Sequence, residues 1–131
     1  MPSYVIGPDV ALRLAREHAV LGESRHLLAP ALLRSQVLSL CYQAVRRGEV
    51  TRSDAERQLT YVRSLRIRLL GDRVLHNAAW KVADRLQLPD TYDAEYVALT
   101  QLQADAFITL NAELADAVKG LVTVAPIEDL W

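Results

Sequence analysis

Short apolar runs alternate along the chain with longer stretches in which apolar positions recur every third or fourth residue. Near the start, "SYVIG" has the form of a strand, and "PDVALRLAREHAV" follows with a proline placed to open a helix. "HLLAP" is a brief second strand or an extended entry to the next element. "ALLRSQVLSLCYQAVRRG" puts Leu33, Val37, Leu40, Cys41 and Ala44 on one helical face and stops at Gly48. "TRSDAERQLTYVRSLRIRLLG" reads as a helix that opens on two overlapping capping signals, Thr51 with Asp54 and Ser53 with Glu56. Its basic face carries Arg57, Arg63 and Arg66. "DRVLHNAAWKVADRLQL" is another amphipathic helix, broken before Pro89. After "PDT" come the helix "YDAEYVALTQLQA", the strand-like "AFITL", a short helix "AELADAVKG" and a final strand "LVTVA". In the tail "PIEDLW", Trp131 is expected to dock on this domain or on a second copy.

Strand and helix in regular alternation predict a parallel sheet covered by helices on both faces, a three-layer α/β/α architecture. The 131 residues fit a single domain, 1–131, without a linker, repeat or low-complexity segment. No apolar run approaches the roughly 18 residues that cross a bilayer, and the start lacks the pattern of a secretion signal. A cytoplasmic protein with no membrane partner is the expectation. The single cysteine, Cys41, excludes an internal disulfide and any CxxC site, and its apolar neighbours mark it as a small buried side chain.

Charge changes this picture. The net value of -1 conceals 13 Arg or Lys against 7 Asp or Glu in residues 1–83, and 2 against 9 in residues 84–131. Solvated helix faces account for such a division, and so does a basic surface beside an acidic cleft. Familiar catalytic patterns are missing: there is no GxSxG, no GxxxxGK followed by Ser or Thr, and no GxGxxG. His18, His26 and His76 lack the spacing of zinc ligands and are expected at the surface or in packing.

Three polar residues remain as candidates. Gln36 sits about 40° from Leu40 around its helix, on the border of the apolar stripe, and needs polar company there. Asp93 falls in the first turn of its helix, where the dipole favours a carboxylate. Simple capping explains it, but Asp90 and Thr91 can cap equally well, which leaves Asp93 free for other work. Asn111 ends "AFITL" before a helix and is either an N-cap or part of a site.

"TYDAEYVALTQLQADAFITLNAELA" resembles the C-terminal signature of PIN domains of the VapC toxin type, in which an aspartate opens a helix reading "DAxYVALA" and another follows a strand ending in Thr. "YVIGPDVALRLA" is similar to that family's first strand and turn, "LLAPALLRSQVLSLCYQAVRRGEVT" to the helix carrying its glutamate, and "GLVTVAPIEDL" to its last strand. The resemblance implies a PIN-like fold and cleavage of RNA that depends on Mg2+ or Mn2+, by four acids at the carboxyl edge of the sheet. It also implies a homodimer and a cognate antitoxin. This chain departs from the acid set. The first aspartate aligns with Gly7, with Asp9 two residues on; the glutamate aligns with Gln36; Asp93 is retained; the fourth acid aligns with Asn111, beside a retained Thr109. One unit charge at 4 Å is worth about 4 kcal/mol at an effective dielectric near 20, so the missing charges cost several kcal/mol of metal affinity. Two functions follow. In one, Asp93 and Asp9 hold an ion for a weak ribonuclease, with Gln36, Asn111 and Thr109 around it. In the other, a silent scaffold keeps RNA or protein binding, through the arginines between Arg46 and Arg73.

Overall fold

The structure, a computed structural model, describes residues 2–131. Four strands, β1 (Ser3–Ile6), β2 (His26–Pro30), β3 (Ile67–Leu70) and β4 (Ala106–Ile108), form one sheet in the order β3-β2-β1-β4. Every pairing is parallel. Tyr4 pairs with Leu27 on one side and Ala106 on the other, so β1 is a central strand, and its Val5 and Ile6 are wholly buried. Burial on both faces is why β1, β2 and β4 read as unbroken apolar runs and not as alternating ones, whereas the edge strand β3 keeps Arg68 exposed.

Six helices, α1 (Pro8–Glu17), α2 (Leu33–Arg46), α3 (Arg52–Ser64), α4 (Arg73–Leu86), α5 (Tyr92–Gln103) and α6 (Ala112–Val118), complete a three-layer α/β/α fold. Pro8 opens α1 as its fixed φ favours, and α2 ends ahead of Gly48, whose φ of 73° a side chain would resist. Helices α1, α2 and α3 pack on one another, while α5 lies against β1, β2 and β4 and carries α4 on its other side. Sandwiched in this way, α5 buries a continuous run from Tyr96 to Thr100. The Thr100 hydroxyl answers that burial by donating to the Tyr96 carbonyl at 2.9 Å.

Several features differ from the sequence reading. The segment "TRSDAERQLTYVRSLRIRLLG" is not one helix: Leu65 turns extended with ψ of 136°, and Ile67–Leu70 pairs with Leu27–Pro30 as β3. Backbone pairing along β2 outweighs a helical period that continues past Ser64, and Arg66 falls in the link. Of the two capping signals only Thr51 acts, accepting from the Asp54 amide at 3.0 Å, while Glu56 pairs with Arg52 instead. The final strand shrinks to one bridge, Phe107 to Val124, carried by Phe107 N–H donating to Thr123 O at 2.8 Å and Ala125 N–H donating to Phe107 O at 2.9 Å. Pro126, which has no N–H to offer, follows at once.

On α2 the buried stripe is Leu33, Val37 and Cys41, and Leu40, expected on it, is exposed beside Gln36. At the tail it is Leu130 that is wholly buried, whereas Trp131 stays half exposed. The chain end is held by Arg25, whose Nε and Nη2 donate to the carbonyls of Asp129 and Trp131. Among the described residues no helix is long and apolar enough to cross a membrane.

Candidate functional site

Parallel strands bring their carboxyl ends and the following helix starts to one edge, which is where open α/β folds place ligands. Asp9 in the first turn of α1, Gln36 early in α2, Asp93 in the first turn of α5, and Thr109 and Asn111 after β4 all belong to that edge. The five sequence candidates are therefore neighbours in the fold, although each is engaged differently.

Asp9 turns inward. Its Oδ1 accepts from the Val10 amide at 2.8 Å, and its Oδ2 accepts from the Leu110 amide at 2.9 Å and the Thr109 hydroxyl at 3.2 Å. The carboxylate thus ties the start of α1 to the turn after β4. A Cβ built on Gly7 would lie 2.6 Å from Asp9 Oδ1, so Asp9 fills the space in which a side chain at position 7 would stand. Gly7 has φ of -77° and ψ of 167°, ordinary extended backbone, so the neighbouring carboxylate and not the main chain keeps this position bare.

Gln36 finds its polar company in Tyr96, whose hydroxyl donates to Gln36 Oε1 at 2.6 Å. Burial first, then the nearby charges of Glu95, Asp9 and Asp93, hold the Tyr96 hydroxyl protonated far above its ordinary range. It must act as donor, so Gln36 gives its oxygen inward and keeps its amide N–H groups for the outside. Asn111 is likewise committed: its Oδ1 accepts from the Leu114 amide at 3.1 Å and caps α6. Its backbone amide donates to Thr109 Oγ1 at 3.1 Å, which completes a chain from Asn111 through Thr109 to Asp9.

Asp93 alone is uncommitted, with no hydrogen bond or ion pair to any described residue. Partial burial pushes its carboxyl up, and the carboxylates of Asp90 and Asp9 push it further. Capping of this helix start falls to Asp90, whose Oδ1 accepts from the Tyr92 amide at 3.1 Å, while the Thr91 side chain makes no cap bond. Sequence reasoning offered Asp90 as a cap, which it is, but missed the part played by Tyr96. A tyrosine three residues after Asp93 was the available signal, since that spacing puts both on one side of α5.

The donor set does not fit the paired-ion centre that the resemblance implies. Among the described residues no three His, Cys, Asp or Glu side chains converge where a metal ion would sit. Asp9 already accepts three hydrogen bonds, and the carbonyl oxygens of Gln36 and Asn111 face internal donors. The other singled-out residues take structural places. His18 ends α1 in a left-handed conformation, edge-on to the Tyr61 ring at 6.5 Å, and Cys41 is buried, its thiol pushed up by desolvation.

No protein-family model matches the chain, and no curated protein does. A solved structure of similar fold is the crystal structure of PAE2754 from Pyrobaculum aerophilum, at 23% identity and a TM-score of 0.72, covering 97% of this chain and 92% of that one. That likeness extends over the whole chain and establishes a shared fold.

Proposed function

We propose that the protein is a PIN-like chain of the VapC type whose RNA-cleaving chemistry has lapsed and which acts by binding. One observation carries this reading. Of the four positions where the resemblance expects an acid, Gly7 is bare and its space is filled by Asp9, and the other two changed positions carry Gln36 and Asn111; the oxygens of Asp9, Gln36 and Asn111 all serve donors inside the protein. Asp93 alone remains as a free carboxylate, and a single carboxylate holds Mg2+ or Mn2+ weakly. Such an ion supplies charge neutralisation at a phosphate, so little of that chemistry is expected here. The homodimer and the cognate antitoxin implied by the resemblance belong to the same proposal. A weak ribonuclease is the second reading, favoured by the inward turn of Asp9 into the space beside Gly7.

Cleavage of a mixed RNA pool with Mg2+ or Mn2+ separates the two. The comparison is between the unmodified protein, Asp93→Ala, and a variant combining Gly7→Asp, Asp9→Ser, Gln36→Glu and Asn111→Asp. Asp9 has to be trimmed in the last, because its carboxylate occupies the room an aspartate at position 7 needs. We expect the unmodified protein to cleave no faster than Asp93→Ala, and cleavage to emerge in the combined variant. Cleavage by the unmodified protein that Asp93→Ala abolishes would overturn the proposal in favour of the second reading.

A further inference from the structure

The border of α2 away from Gln36 has a different character. Leu38 and Tyr42 lie about 200° and 240° around the helix from Gln36 and are 55% and 62% exposed. Beneath them, two cavities of about 220 and 230 Å3 run side by side between α2 and α3, sharing Leu38 and Leu59 in their walls. Val37, Cys41 and Val62 form a buried apolar floor. Arg34 and Arg63 stand at one end of this trough, and Arg46 and Arg52 at the other. Only Glu56 offsets them, 3.2 Å from Arg52, and Arg34, Arg46 and Arg63 have no carboxylate in ion-pair reach among the described residues. Four cations against one anion make this a positive rim on a chain whose net charge is -1.

We infer that the trough between α2 and α3 docks an acidic amphipathic helix of a partner protein. The floor is apolar and linear, which suits side chains at i, i+4 and i+7 laid into a groove. From Arg34 to Arg46 the trough follows α2 for about 18 Å, the length of about 12 helical residues, so carboxylates near both ends of such a helix meet both arginine pairs. Positive charge at the ends selects acids there and rejects a lysine-rich helix. RNA is disfavoured, since it needs a continuous cationic track, whereas the cations here gather at two ends of an aliphatic floor with one exposed ring, Tyr42. This deepens the binding role proposed above but stands on other residues. A protein that cleaved RNA would still carry the trough, so the cleavage assay and the following test fail separately.

The probe is a fluorescein-labelled synthetic helix with a leucine stripe and glutamates about 12 residues apart near its two ends, titrated with the full chain by anisotropy. We expect saturable binding that is at least about tenfold tighter than that of the same peptide carrying lysines at its ends. Leu38→Asp and Tyr42→Ala are each expected to weaken it about tenfold, with melting temperatures unchanged because both side chains are exposed. Arg34→Glu combined with Arg63→Glu is expected to reverse the preference between the two peptides. Equal affinity for both peptides overturns the inference. So does a single-stranded RNA that binds at the trough and is lost with the arginine changes, or self-association of the unmodified chain that Leu38→Asp abolishes.

Discussion

Helix α2 borders two regions built on opposite principles. On one side, Gln36 accepts from Tyr96, and beyond it Asp9, Thr109 and Asn111 close a chain of hydrogen bonds across the carboxyl edge of the sheet. On the other, Leu38 and Tyr42 stand open to solvent above an apolar floor, with three arginines, Arg34, Arg46 and Arg63, that lack carboxylate partners among the described residues. The edge spends its polar groups on the protein itself, whereas the trough leaves its apolar and cationic groups unspent. Buried polar atoms need partners, and among the described residues no buried side-chain nitrogen or oxygen lacks one. An edge that has met this requirement internally has few acceptors left for a ligand. The proposed binding role therefore sits not at the position the fold favours but on a face of the same helix that the fold does not require.

The most forceful way to break this contrast is Asp9→Ala. A carboxylate kept for a ligand is held at the expense of stability, and removing it stabilises a protein. A carboxylate that ties α1 to the turn after β4 does the reverse. With three hydrogen bonds to Asp9 oxygens, two of them from backbone amides, we expect Asp9→Ala to destabilise by about 2–3 kcal/mol. Urea denaturation measures it, and a midpoint that rises would return Asp9 to the list of ligand-binding groups.

A finer test concerns the bond between Tyr96 and Gln36. Tyr96→Phe and Gln36→Leu, singly and together, form a double-mutant cycle in which the coupling is expected to be about 1 kcal/mol. Zero coupling would mean that Gln36 turns its oxygen to the outside, where it can serve a ligand. Because Tyr96 is buried and its hydroxyl stays protonated, this coupling should hold steady through neutral and mildly alkaline pH.

Much of this was legible in the residues. The alternation of apolar runs and helical periods located β1, β2, β4 and all six helices, since these elements are set by local pattern and by caps such as Pro8 and Thr51. What escaped was decided by pairing at a distance. "RIRLL" continues a helical period and becomes a strand only because β2 offers an open edge, and "LVTVA" makes only the Phe107 bridge before Pro126 ends it. At the site, residue types suggested Asp9, Gln36, Asp93, Thr109 and Asn111, but not which atoms would already be engaged. Whether "GPDV" sends Asp9 inward depends on amide groups 101 residues away at Leu110. The trough was marked in the sequence by the arginines between Arg46 and Arg73 and by an apolar Leu38 and Tyr42 outside the core stripe of α2, but not by the groove that joins them.

The smallest effect, and the one that isolates the remaining free acid, is expected from Asp93→Asn. Burial, Asp90 and Asp9 all raise the Asp93 carboxyl in the folded protein above its value in the unfolded chain. A group raised in this way stabilises fully only below its unfolded pKa, about 3.9, and that contribution is lost as pH rises through the folded value. At neutral pH the ionised Asp93 is therefore a burden that asparagine does not carry. We expect Asp93→Asn to melt about 1–2 °C higher at pH 7, a small gain because solvent at the exposed rim screens the repulsion. The advantage should close as pH falls through 4. A lower melting temperature for Asp93→Asn at pH 7 would reveal a cationic partner for Asp93. A rise in melting temperature on adding Mn2+, present in the unmodified protein and absent in Asp93→Asn, would make this carboxylate a ligand and reopen the edge as a working site.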